Sequence, residues 1–236
     1  MPPKPVPAAV AKDVKPKDPA AGAQVHRWMK SGALCWIELM DQSDSNVVGY
    51  SQATIDIVKE EEKKIVVNYE PGHNGPPEVY VNRVLERAEE PQLNDDLVDI
   101  EPLNDAELLR CLEIRYKSDI IYCFCGPSLL STNPYKRIDN PDEEYDRAVF
   151  KKYAFHGGKR IPKPHIWNMS AIVFWQLLEC NGAKDQAICI SGESGAGKSH
   201  STRLCLSFIT QLMSDKSNSG EITIEDKIMG CNPIME

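Results

Sequence analysis

A glycine-rich loop between an apolar run and an amphipathic segment constrains this chain more than any other feature. Residues 192–199 read G-E-S-G-A-G-K-S, which fits the pattern GxxxxGK[ST] in full. The preceding residues, 186–190, form a short apolar run of the kind found in central parallel strands. The following residues, 200–213, repeat apolar side chains at helical spacing. The order strand, glycine loop, helix predicts an α/β fold built around a phosphate-binding loop (P-loop).

The residue types in this loop suit the binding of nucleotide phosphates. Gly195 and Gly197 permit a tight turn, so that backbone N–H groups and the N-terminal end of the next helix can converge on one phosphate. Lys198 can reach the β- and γ-phosphates, and the Ser199 hydroxyl can ligate Mg²⁺. The predicted nucleotide-binding set is Gly192, Glu193, Ser194, Gly195, Ala196, Gly197, Lys198 and Ser199, with Ser199 also the predicted metal ligand.

Composition excludes some classes of protein. The formal net charge of −8 argues against a broad nucleic-acid-binding surface, which needs clustered Lys and Arg. No run approaches the ~18 apolar residues that span a bilayer. Residues 1–25 carry six prolines and lack the apolar core of a signal peptide. The eight Cys include no CxxC pair, which favours reduced, buried thiols in an intracellular protein.

The pattern along the chain predicts three parts. Residues 1–25, rich in Pro, Ala and Lys, are predicted to be a disordered tail. Residues 26–88 are predicted to form a small all-β barrel, because short apolar runs at 34–39, 47–58, 65–69 and 79–81 alternate with turn residues. Residues 92–236 combine helical and strand patterns and include the P-loop, and the mostly apolar segment 166–180 is predicted to be a buried helix. Asn104 and Glu107 have the spacing of a helix capping box.

Several short motifs, in this order, resemble the motor domain of myosin heavy chains. The resemblance covers about residues 30–236, and 26–88 resemble the Src-homology-3-like barrel in front of many myosin heads. The motifs are LNDAELL at 103–109, RY at 115–116, IIY at 120–122, GPSLL at 126–130, NPYK at 133–136, PHIW at 164–167, GESGAGKS at 192–199, EDKIM at 225–229 and NPIME at 232–236.

The resemblance implies a P-loop NTPase motor head of which this chain holds an incomplete, N-terminal part. It implies Mg-ATP as ligand, actin filaments as partner and a cytoplasmic, cytoskeletal location. By position, the loop beside the adenine corresponds to Asn133, Pro134, Tyr135, Lys136 and Arg137, and Tyr145 is the nearest candidate for the tyrosine that contacts the purine. Ser199 stands where the family usually has Thr, and His200 where it usually has Glu. His200 is predicted to be an exposed residue of the first helical turn.

Three functions are compatible with the sequence. The first is the ATP-binding part of an actin-based motor, and the second is a short non-motor protein that binds a nucleotide or a partner. The third, an unrelated P-loop kinase or ATPase, is disfavoured because only 37 residues follow Ser199. No catalytic residue is predicted. In the family, hydrolysis needs two switch loops that the 236 residues do not include, so this chain alone is expected to be inactive.

Overall fold

The computed structural model describes residues 24–40, 46–136, 138, 153, 163–179 and 185–213. The predicted tail lies outside these residues except for its last two positions. The chain divides into two compact units, one containing residues 1–90 and 104–106, the other residues 91–103 and 107–236.

In the part of the first unit that the structure describes, five strands form an antiparallel sheet in the order β4-β3-β2-β1-β5. Its strands are β1 (Leu34–Met40), β2 (Val47–Lys59), β3 (Lys64–Tyr69), β4 (Glu78–Tyr80) and β5 (Val84–Glu86). These agree with the four predicted runs and add β5. The two edge strands, β4 and β5, are separated in sequence only by the 3-10 turn Val81–Arg83. Because so short a connection keeps the two edges close, the sheet has to curl.

One face of this sheet forms a hydrophobic core. Ile37, Ile55 and Ile65 on three adjacent strands are buried in it. In a regular strand Ile57 would share the face of Ile55, because side chains two apart point the same way. The pairing of β2 with β3 shifts register between these two residues, and Ile57 is 52% exposed. The irregularity explains the difference, since one extra residue in a strand re-aims the side chains beyond it.

Among the residues described, the second unit combines three helices with a two-stranded hairpin. A 3-10 turn at Leu97–Asp99 precedes helix α1 (Asp105–Lys117), and β6 (Tyr122–Cys125) pairs with β7 (Ser128–Ser131) in antiparallel register. Helices α2 (Ile166–Glu179) and α3 (Lys198–Met213) follow. All three helices lie where the sequence predicted them. Of the helices described here, none is both long and apolar enough to cross a bilayer.

Aromatic packing holds α2 against α3. The rings of Trp167 on α2 and Phe208 on α3 stack with centroids 5.6 Å apart. His165 lies just before α2, where its ring stacks on Tyr153 and meets Tyr122 edge-on. Phe208 is fully buried, and Trp167 is 3% exposed. This cluster therefore fixes the position of α3, the helix that begins at the glycine loop.

The predicted strand at 186–190 differs from what the structure contains. These residues have no β-ladder partner among the residues described, although their exposure alternates along the chain. Ile188 and Ile190 pack partly against the α2–α3 cluster, which accounts for the alternation. A parallel strand is defined by hydrogen bonds to a neighbouring strand. An apolar run can therefore predict which side chains are buried but not whether a neighbouring strand is present.

Candidate functional site

The glycine loop turns directly into the first residue of α3. Gly195 and Gly197 have φ angles of +81° and +95°, in the left-handed region that glycine adopts without strain. The Ala196 N–H donates to the Glu193 carbonyl at 3.2 Å, and the Ser201 N–H donates to the Gly197 carbonyl at 2.9 Å. The first bond closes a tight turn within the loop. The second starts the helix immediately after it.

Lys198 folds back across this loop. Its Nζ donates to the carbonyl oxygens of Gly192 and Glu193, at 3.0 and 2.9 Å. The ammonium group therefore lies beside the loop backbone rather than extending into solvent. An anionic phosphate oxygen is a stronger acceptor than a neutral carbonyl, so a bound phosphate could draw the same ammonium group toward itself.

The geometry and chemistry of the loop fit a phosphate group. A Cβ atom at Gly192 would lie 3.1 Å from the Ala196 Cβ and 4.0 Å from the Lys198 Cγ, so a side chain there would crowd the loop. The first turn of α3 contains no acidic residue. Helix N-termini carry partial positive charge and N–H groups without an acceptor inside the helix. Together with the Lys198 ammonium and the Ser199 hydroxyl, this donor set suits an anion and its Mg²⁺.

The structure brings part of the predicted adenine-side loop against the glycine loop. The Asn133 side-chain Nδ2 donates to the Gly195 carbonyl at 2.7 Å. The Oδ1 of the same side chain accepts the Tyr135 N–H at 2.9 Å. Tyr135 has a φ of +51° and is 77% exposed. Its hydroxyl lies 3.9 Å from the position that a Cβ atom on Gly195 would take.

The other two described residues of that loop contact the end of α1. The Lys136 Nζ lies 2.7 Å from Oδ1 of Asp119, and the Tyr116 hydroxyl donates to the Pro134 carbonyl at 3.4 Å. Arg115 and Tyr116 form one of the motifs noted above, but the sequence indicates no role for Tyr116 or Asp119. No sequence signal could have found them, since the contacts are made between segments 17 and 18 residues apart.

Two of the predicted site residues cannot be placed. Arg137 and Tyr145 both lie outside the described residues. The predictions that Arg137 lies beside the base and that Tyr145 contacts the purine therefore stay predictions, as do the motifs at 225–229 and 232–236. His200 was expected to be an exposed residue of the first helical turn, and this is confirmed.

Buried side chains lie beneath the loop and set its position. Leu204, Cys205 and Phe208 of α3 face the cluster that also holds Trp167. Burial raises the pKa of the Cys205 thiol, while a hydrogen bond with the Ser170 side chain acts in the opposite direction. Cys205 therefore behaves as a small apolar residue of the core and not as a reactive group at the site.

Much of the chain that contains this site matches a known protein family. Residues 94–236, more than half of the chain, match the family described as Myosin head (motor domain). Unconventional myosin-Ia of Bos taurus is 33% identical over 144 residues, which is 60% of this chain and 13% of that protein. The high molecular weight form of myosin-1 of Acanthamoeba castellanii is 35% identical over 142 residues, 60% of this chain and 8% of that protein.

A longer match extends into the first unit. Myosin type-2 heavy chain 2 of Schizosaccharomyces pombe is 30% identical over 203 residues, which is 85% of this chain and 9% of that protein. The chain thus spans only about a tenth of the length of these relatives. The matched region contains the glycine loop, the Asn133 loop, α2 and α3. The chain belongs to the myosin head (motor domain) family.

Proposed function

We propose that this chain binds the phosphates of Mg-ATP through residues 192–199 and forms the nucleotide-binding part of a myosin-type, actin-based cytoskeletal motor. One observation carries the proposal. Two left-handed glycines bend the loop into the N-terminus of α3 while Lys198 lies across it. A turn of this kind presents N–H groups and one ammonium group to the same small volume, which is the environment that a polyphosphate requires.

The proposed roles divide between the two ends of the nucleotide. The loop N–H groups and Lys198 hold the β- and γ-phosphates, and the Ser199 hydroxyl ligates the metal. A bound Mg²⁺ would supply positive charge that offsets part of the negative charge of the phosphates. The 133–136 loop adjoins the glycine loop through Asn133, so the adenosine end is proposed to lie on that side, next to Pro134, Tyr135 and Lys136.

Membership of the family supports a proposal for the wider architecture and the partners. The second unit is proposed to be part of a P-loop NTPase motor head at 92–236, and the curled sheet a Src-homology-3-like barrel at 26–88. The relatives of this chain are named as myosins, and each is roughly ten times as long as the segment that it shares with the chain. Actin filaments as partner, and a place in the cytoskeleton, are therefore proposed for the protein as a whole.

Replacement of Lys198 tests the phosphate site. We expect Lys198→Met to weaken binding of Mg-ATP by about 10-fold to 100-fold, since a charge-assisted hydrogen bond contributes about 1.5–3 kcal/mol. Methionine keeps the length and apolar character of the stem but removes the ammonium group. The matched control is Lys59→Ala, which removes an equally charged side chain that pairs with Glu78 in the sheet of the other unit. Isothermal titration calorimetry on the 236-residue chain measures both affinities.

The two variants separate a local effect from a loss of net positive charge. If Lys59→Ala weakens binding as much as Lys198→Met, the effect is long-range electrostatics, and the proposed role of Lys198 is wrong. Unchanged affinity in Lys198→Met would also refute that role. Circular dichroism of both variants has to match that of the wild type, because Lys198 also bonds two loop carbonyls.

A further inference from the structure

The side chain of Asn133 connects two segments of the site that are 62 residues apart in the sequence. It follows β7 and uses both ends of its amide within the described structure. Oδ1 accepts the Tyr135 N–H at 2.9 Å, a local turn that asparagine forms readily. That bond orients the amide, so Nδ2 is directed at the Gly195 carbonyl at 2.7 Å. The contact with the glycine loop is therefore preset by the turn at 133–135.

The peptide that Asn133 contacts is one that could otherwise rotate. Gly195 has no Cβ atom and adopts φ of +81°, so the backbone at this point has little intrinsic preference for one orientation. A trans peptide places its carbonyl oxygen and the next N–H on opposite sides. Holding the Gly195 carbonyl toward Asn133 therefore directs the Ala196 N–H the other way, where it donates to the Glu193 carbonyl.

A reversal of this peptide would damage the phosphate site. It would break the bond that closes the 193–196 turn and bring the Gly195 carbonyl toward the Glu193 carbonyl, so that two acceptors face each other. A loop that binds phosphate has to present donors, and a misplaced carbonyl repels the anion. The orientation of the 195–196 peptide is thus a condition for the loop to bind, and Asn133 is the side chain that holds it.

We propose that Asn133 is a positioning residue of the P-loop, which acts on the phosphate end of the nucleotide by fixing the Gly195–Ala196 peptide, rather than a residue that binds the base. The inference rests on the function proposed above, because it assumes that residues 192–199 bind phosphate. It assigns to Asn133 a role different from that implied by its place in the adenine-side loop.

Two ligands distinguish these roles. Mg-ATP contains both the base and the phosphates, whereas Mg-tripolyphosphate contains only the phosphates. The variant is Asn133→Ser, which is neutral and whose hydroxyl can still accept the Tyr135 N–H, but which is too short to reach the Gly195 carbonyl. We expect its dissociation constants for both ligands to rise by the same factor, about fivefold to tenfold, as expected for the loss of one hydrogen bond.

A spectroscopic measurement without ligand completes the test. In ¹⁵N-labelled chain, the Ala196 amide resonance should shift in Asn133→Ser, and its hydrogen exchange should accelerate, because the turn bond to Glu193 becomes less populated. Asn74→Ser, in the other unit, serves as the control and should leave that resonance and both affinities unchanged.

The other possible results contradict either the inference about Asn133 or the proposed function. If Asn133→Ser weakens Mg-ATP but not Mg-tripolyphosphate, Asn133 binds the base and the inference is wrong. Unchanged affinity for both ligands, or an unmoved Ala196 resonance, also contradicts it. If the wild-type chain binds neither ligand, the proposed function is refuted, and the inference with it. That result differs from the others, which concern only the variant.

Discussion

Truncation of Phe208 to alanine should detach the helix that carries the candidate site from its support. Phe208 is completely buried on α3, and its ring stacks on Trp167 of α2 at a centroid distance of 5.6 Å. The variant Phe208→Ala leaves a cavity between the two helices. A shift of α3 would also move Lys198 and Ser199, which form its first turn. The expected result is therefore a loss of stability together with weaker phosphate binding.

The size of the effect follows from the burial and the stack. Removal of a buried Phe costs about 3–5 kcal/mol, and an aromatic pair contributes about 0.5–1.5 kcal/mol beyond its buried area. A domain is stable by only about 5–15 kcal/mol, so the change is a large fraction of the total. With a urea dependence of about 2 kcal/mol/M, a loss of 4 kcal/mol lowers the unfolding midpoint by about 2 M.

Labelling of Cys205 reports on this part of the molecule alone. Cys205 lies on α3 in the same buried cluster, it is 4% exposed, and burial raises the pKa of its thiol. In the folded chain it should resist a thiol reagent, and opening of the α2–α3 core should expose it. Mass spectrometry of peptides labelled across a urea series gives the urea midpoint at which Cys205 becomes exposed, separately from the midpoint of the sheet. The measurement therefore does not require the two units to unfold together.

A surface variant provides the comparison for Phe208→Ala. Leu178, near the end of α2, is 49% exposed, so Leu178→Ala should move the Cys205 labelling midpoint by less than about 0.5 M. If Phe208→Ala leaves the midpoint within about 0.3 M of wild type, or if Leu178→Ala lowers it equally, the α2–α3 contact does not support the site and the reasoning is refuted.

Two further predictions concern stability. Arg115 is 2% exposed and donates to the carbonyl oxygens of Asn94 and Tyr122. A lysine cannot span both carbonyls, so Arg115→Lys should lower the free energy of unfolding by about 2–4 kcal/mol, measured by urea denaturation. A loss no larger than that of the exposed control Lys117→Ala would contradict this. Burial raises the pKa of Cys35 from 9.0 to about 12, so the unfolded chain loses this proton first and stability falls by up to about 1.4 kcal/mol per pH unit as pH rises above 9. Urea midpoints between pH 8 and 10 should decline less steeply in Cys35→Ala than in wild type, and equal slopes would refute the assignment.

The strands and helices could largely be read from the sequence, since alternating and helical spacings decide which side chains can share a buried face. Leu34–Met40 and Ile166–Glu179 lie within a residue of their predicted bounds. Trp36, which the sequence suggested as a core anchor, is 6% exposed but lies outside the core cluster that holds its neighbours Cys35 and Ile37. The Arg87 guanidinium lies 5.8 Å from its ring centre. Spacing did not predict the exposure of Ile57, because the register shift between β2 and β3 that causes it depends on how the strands pair.

The candidate site was predictable in its composition but not in its connections. A loop that needs left-handed backbone requires glycine, so Gly195 and Gly197 could be identified from the sequence alone. The hydrogen bond between Asn133 and Gly195 could not, because no periodicity relates residues 62 apart. The same is true of the salt bridge between Lys136 and Asp119, which draws that lysine toward the end of α1.

By itself, the sequence determined the local chemistry of this protein: the glycine loop, the lysine and serine at its end, the helix after it and the set of motifs typical of a myosin head. These follow from backbone sterics and from the spacing of residues along one segment. Only the tertiary structure decided which carbonyls Lys198 contacts, which side chain holds the Gly195 peptide and which cluster supports α3. Those contacts join distant segments, and their geometry depends on how the helices and hairpin pack.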